Sequence, residues 1–135
     1  VNHAEADLFV REHLDRPFNW KSNNCCTFTA GFVRAYTGVD YLVAEDHVGG
    51  VRAARRRVAE HGDLAGTVSA RLGEPVAPAF AQYGDVVLLP NTKGVGDSIG
   101  ICIGANVLAP GPKGLERVPL SAATLAWRLP VDHPA

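Results

Sequence analysis

Most of what marks a specialised protein class is missing from this 135-residue chain. Its three cysteines, at positions 25, 26 and 102, make neither an even disulfide framework nor a pair of zinc knuckles, which points to a reducing compartment. No apolar run approaches the roughly 20 residues that span a bilayer; the longest, such as Val86 to Pro90, are far shorter. There is no charged leader followed by a hydrophobic core, so the chain reads as soluble and not exported by itself. Neither sign of charge is in excess. With a formal net charge of -1, 20% charged and 47% hydrophobic residues, the balance is that of a globular protein and not of a nucleic-acid-binding or disordered one. Internal repeats, low-complexity tracts and linkers are absent, and the length suits a single domain over residues 1–135.

What is present is a first half patterned for helices and a second half patterned for strands. Asn2 and Glu5 stand at capping-box spacing ahead of Ala6, Phe9, Val10 and Leu14, which predicts a helix over residues 2–15, ended by Arg16-Pro17. A second, central helix is expected from Cys25 to Tyr36, burying Cys25, Phe28, Phe32 and Tyr36 on one face and stopped by Thr37-Gly38. Val51, Ala54 and Val58 give a third helix between Val48 and His61, with Arg55, Arg56 and Arg57 as its solvated face. Asp63 caps a fourth through Leu64, Val68 and Leu72, before Gly73 and Pro75. Beyond Pro78, short β-branched runs separated by glycine and proline predict strands at Asp85 to Leu89, Ile99 to Ile103, Asn106 to Leu108, Leu115 to Val118 and Ala126 to Leu129. Turns are expected at Lys93 to Asp97 and at Pro110 to Gly114, and Gly94 and Gly96 belong to a turn because no phosphate-loop helix follows them. Helices followed by strands is the α+β pattern, with N-terminal helices packed on a small C-terminal antiparallel sheet.

Chemistry concentrates at Trp20 to Phe28. Asn24 is a good N-cap, so Cys25 and Cys26 open the central helix, where the positive end of the helix dipole favours thiolate over thiol. Among the histidines, His13 lies beside the apolar stripe of the first helix as a packing residue. His61 sits at a helix C-terminus, His3 and His133 are near the ends, and His47 precedes the third helix in a segment of no clear period. Ser98, Gly100 and Cys102 alternate with Ile99, Ile101 and Ile103, giving one strand face of small residues and one of large.

The tryptophan ahead of a helix-start cysteine, the Gly84-Asp85-Val86-Val87 strand and the Ile99-Gly100-Ile101-Cys102-Ile103-Gly104 strand, in that order, resemble the NlpC-type branch of papain-like cysteine peptidases. The patterns Pro17-Phe18-Asn19-Trp20, Tyr36-Thr37-Gly38-Val39-Asp40 and Ala126-Trp127-Arg128 resemble, within it, a small phage-encoded subgroup found among tail genes. The resemblance implies Cys25 as the nucleophile position, Ser98 where the family has its general-base histidine, and Ala109 near the third polar position. It implies a phage tail-associated structural or assembly protein on a degenerate peptidase fold, with other tail or tail-tip proteins as partners and peptidoglycan as a further one. The expected location is the virion tail, or the host cytoplasm during assembly. The alternative it leaves is an active peptidase or amidase cutting peptidoglycan stem peptides, with Cys25 as nucleophile and His47 as a substitute base. A small-residue face turned toward the central helix would bring Cys102 near Cys25 or Cys26. No cofactor, metal, nucleic acid or membrane is expected.

Overall fold

The computed structural model describes residues 1–43, 56, 59, 62–90 and 96–131. Helix α1, His3–His13, starts at Asn2, whose side chain accepts from the Glu5 amide at 3.0 Å. It buries Ala6 and packs Phe9 and Val10 against the core, whereas Leu14, expected in the same stripe, is 50% exposed just past its end. Helix α2, Cys25–Thr37, buries Phe28, Phe32, Val33 and Tyr36 and ends at Gly38 in the left-handed conformation. The two helices approach closely because α2 carries Gly31 at the crossing: a Cβ there would lie 2.7 Å from Phe9 Cζ. Helix α3, Leu64–Leu72, is capped by the Asp63 side chain on the Gly66 amide at 2.6 Å. The helix expected between Val48 and His61 and the turn at Lys93 to Asp97 fall mostly outside the described residues.

The second half forms one antiparallel sheet from β1 (Val86–Leu89), β2 (Ser98–Cys102), β3 (Asn106–Gly111), β4 (Gly114–Pro119) and β5 (Leu125–Trp127). The order is β4-β3-β2-β1-β5, so the last strand returns to pair with the first. This is the α+β arrangement expected from the sequence. The Pro110 to Gly114 turn is shorter than its composition suggests. Pro110 pairs with Leu115 and Gly111 with Gly114, leaving Pro112 and Lys113 as the loop. A Cβ at position 111 would run into the Glu116 side chain on the neighbouring strand, which would have to turn aside.

Register decides which side chains meet the helices. Val86 pairs with Ile101 and with Trp127, and Leu88 with Ile99, and these residues form one core with Phe28, Phe32 and Tyr36. Val87, Leu89, Cys102, Val107 and Ala126 form a second cluster on the opposite face, covered by Val76, Ala81, Leu120 and Ala123. The face of β2 turned to the helices is therefore that of Ile99 and Ile101, and not the small-residue face. Burying two isoleucines against aromatic rings removes far more apolar surface from water than burying Ser98, Gly100 and Cys102 there. The small face serves close approach within the sheet: a Cβ on Gly100 would lie 2.6 Å from the Leu108 carbonyl oxygen and from Val107 Cγ1.

The sheet is tied to its surroundings by polar contacts at its ends. Trp127 is fully buried and donates its indole N–H to Ser69 Oγ of α3 at 3.0 Å. Asp85, also fully buried, accepts at Oδ2 from the Gln82 amide at 2.8 Å and at Oδ1 from the Leu129 amide at 3.0 Å. The Arg128 guanidinium stands 2.9 Å from Oδ2. Sequence patterning predicts β5 from Ala126 to Leu129, but the strand ends at Trp127 because the next two residues turn to this carboxylate.

Candidate functional site

The approach to α2 is a short latched loop. Asn19 and Asn23 exchange backbone hydrogen bonds at 3.0 and 2.9 Å, and the Asn23 side chain donates to the carbonyls of Arg16 and Pro17. This latch places Trp20 edge-on to Phe18, with ring centroids 4.9 Å apart, beside the start of the helix. Asn24 then caps twice: its Oδ1 accepts from the Cys26 and Thr27 amides, both at 2.9 Å, while Thr27 Oγ1 accepts from the Asn24 amide at 2.9 Å. Asn24 also donates to the Trp20 carbonyl at 3.1 Å and is almost fully buried. Replacing it by alanine is expected to cost about 1–2 kcal/mol, the upper part of the range for an N-cap, because two amides lose their acceptor at once. A denaturant midpoint measured for Asn24→Ala checks this; a change below about 0.5 kcal/mol would show the cap to be dispensable.

The cap fixes Cys25 and Cys26 at the positive end of α2. Both are half-buried free thiols, with their sulfurs 3.9 Å apart. Cys25 is held below the ordinary thiol range, first by hydrogen bonding from the Cys26 thiol, against the opposing effect of burial, and further by the backbone amides of Ile99, Cys25 and Cys26. Cys26 is pushed well above that range, first by serving as the donor to Cys25 and then by burial. The Cys26 thiol thus favours ionisation of its neighbour Cys25. Sequence reading anticipates the helix-end effect through Asn24, but not the second sulfur or the Ile99 amide. Neither leaves a mark in the local pattern beyond the adjacency of two cysteines.

The start of β2 meets the Cys25 thiol through that Ile99 amide, while Ser98, where the resemblance places a histidine, alternates to the opposite face of the strand and pairs with Leu89. A serine hydroxyl is not a base near neutral pH. Ala109 lies in β3 opposite Glu116 and has no side-chain donor or acceptor. Neither described histidine serves Cys25. The His13 ring stacks on Phe9 at 4.0 Å, its Nδ1 lies 2.8 Å from the Phe9 carbonyl, and Arg16 donates to its Nε2 at 2.9 Å. The guanidinium can only donate, so Nε2 accepts and Nδ1 carries the proton to Phe9. Both nitrogens are used. The exposed His3 ring packs against Tyr36 and Tyr83. His47, His61 and His133 lie outside the described residues. Cys102 is buried in the second cluster, across the sheet from α2, and donates to the Gly104 carbonyl at 3.4 Å, so it does not join Cys25 and Cys26. Among the described residues there is no group of three or more His, Cys, Asp and Glu side chains that could hold a metal, and no helix long and apolar enough to cross a membrane.

A cysteine thus stands at the N-terminus of a central helix that packs against the second strand of an antiparallel sheet. The solved structures bear out this fold: the chain is similar to the crystal structure of the NlpC/p60 domain of peptidoglycan hydrolase SagA, with a TM-score of 0.60 and 19% identity over 96% of this chain and 100% of that one. The protein belongs to the family described as Domain of unknown function (DUF6950), whose model matches residues 2–129. The comparison with curated proteins finds no match.

Proposed function

We propose that the protein is a structural or assembly component of a phage tail, or of a phage-derived particle, built on an NlpC/p60-like fold whose peptidase machinery is reduced to a thiol. What supports this reading is the start of β2, where Ser98 holds the histidine position of the resemblance and pairs with Leu89, whose side chain lies on the sheet face turned away from α2. Amide cleavage by a cysteine needs a group that protonates the leaving amine as well as one that holds the thiolate. Cys26 supplies only the second. Its own thiol is pushed up, so it is a poor proton donor to an amine. The preserved sheet and the well-capped α2 then serve as a binding scaffold, with other tail or tail-tip proteins as the partners and peptidoglycan as a further contact in the wall. Particles assembled with Cys25→Ala are expected to contain the protein at the wild-type level and to retain infectivity. Loss of cell-wall cleavage in that variant, or absence of the protein from purified wild-type particles, would overturn the reading.

The lowered thiol favours one second reading, an active cysteine hydrolase acting on peptidoglycan stem peptides with His47 as base. The two readings separate on pH and on His47. Alkylation of Cys25 follows the thiolate fraction, which rises as pH passes the folded-state value; that value is lowered, so the rate reaches its plateau at lower pH than for an ordinary thiol of about 8.5. In the tail-component reading this profile survives His47→Ala and moves upward in Cys26→Ala, and peptidoglycan is not turned over. A hydrolase would show turnover that His47→Ala abolishes.

A further inference from the structure

We propose that Cys25 and Cys26 form a two-thiolate binding site for a soft monovalent metal ion of the copper(I) class. Adjacent residues on a helix project about 100° apart, so two neighbouring cysteines need not bring their sulfurs together. Here they do: the sulfurs lie 3.9 Å apart, facing each other at the head of α2, and both side chains are half-buried, not sealed in the core. Metal–thiolate bonds of about 2.3 Å drawn to sulfurs at that separation meet at an angle of roughly 116°. That is close to the trigonal angle, so a three-coordinate ion that brings one small thiol or halide from solution can enter with little movement of either side chain, whereas a linear two-coordinate ion would part the sulfurs to about 4.6 Å.

The surrounding residues select which ion. Zinc in protein sites takes four ligands, and no group of three or more candidate side chains exists among the described residues. Copper(I) is stable with two or three soft ligands, and thiolates select it. A third position, where it is filled, falls to a small thiol or halide from solution. Cys102 cannot fill it, being on the other face of the sheet. The alternative use of an adjacent pair, a disulfide between Cys25 and Cys26, is disfavoured. Consecutive Cα atoms are about 3.8 Å apart, below the usual 4.4–6.8 Å for a disulfide, and closing the ring would break the first turn that Asn24 caps.

Binding involves no oxidation: two Cu–S bonds form and the two thiols release their protons to solvent, leaving an anionic bis-thiolate complex. The positive end of α2, at which both cysteines sit, stabilises that charge. The proposal holds whether or not the protein is a tail component, since it concerns the sulfurs and not a partner.

Anaerobic titration of the reduced full chain with copper(I), against a chromogenic copper(I) chelator, tests it. One equivalent is expected to be retained per wild-type chain. Cys25→Ser and Cys26→Ser should each lose at least tenfold in retention, with Cys102→Ser unchanged. Equal retention by wild type and Cys26→Ser, or loss in Cys102→Ser alone, would overturn it. X-ray absorption on the copper-loaded wild type needs no variant: two or more sulfur neighbours at about 2.3 Å are expected. A shell of oxygen and nitrogen only would refute the site.

Discussion

Asp85→Ala is expected to lower stability by about 3–5 kcal/mol, enough to unfold a large fraction of a marginal domain. The carboxylate is fully buried and holds three groups from two parts of the chain: the Gln82 amide just ahead of β1, and the Leu129 amide and Arg128 guanidinium just after β5. Truncation leaves two backbone donors without this acceptor and a guanidinium without its counter-charge. Arg128 is 39% exposed and can turn to water, so the loss falls mainly on the amides and on the closure of β5 against β1. Asp85→Asn preserves shape but not the charge, and it presents an amide NH2 where at least one oxygen is required. It should therefore recover only a small part of the loss. Urea midpoints at constant slope give both numbers, and a change under about 1 kcal/mol for the alanine variant would mean that the carboxylate is not holding β5.

The second large effect is expected one residue earlier. Gly84 has φ +90, and a Cβ there would run into Tyr36 Cε2 and lie 2.8 Å from Cδ2. The ring cannot retreat, because Tyr36 is fully buried against Phe32 and Tyr83, with centroids 5.8 and 5.5 Å away. Gly84→Ala thus combines a left-handed backbone penalty of about 1–2 kcal/mol with overpacking of about 1–3 kcal/mol. A double-mutant cycle separates the two. In a Tyr36→Ala background the clash is gone and only the backbone part of the Gly84→Ala cost should remain, giving a coupling of about 1 kcal/mol or more. Strict additivity would mean that the ring is not what excludes a side chain at position 84.

These two positions show where sequence reading stops. Gly84-Asp85 is recognisable as part of a family-like strand, yet nothing local says that the glycine faces a tyrosine of α2 or that the aspartate waits for residues 128 and 129. The same division runs through the thiol site. The Asn24 cap is legible because capping joins residues two and three positions apart. The Cys25–Cys26 sulfur contact depends on side-chain rotamers that the adjacency alone does not fix. The Ile99 amide reaches Cys25 across more than 70 residues of chain.

The sequence by itself determined the α+β class, the starts of α1, α2 and α3, the stops of α2 and α3, the presence and order of the five strands and the place of the thiols at a helix N-terminus. Each of those rests on periodicity, capping or turn chemistry within a few residues. Only the tertiary structure decided that β5 returns beside β1, that Ile99 and Ile101 face α2 while Cys102 lies across the sheet, and that Cys26 supports the Cys25 thiolate. Alternation along β2 defines two faces but does not say which is inside. The choice between them is made by the apolar area that Phe28, Phe32 and Tyr36 offer from elsewhere in the chain.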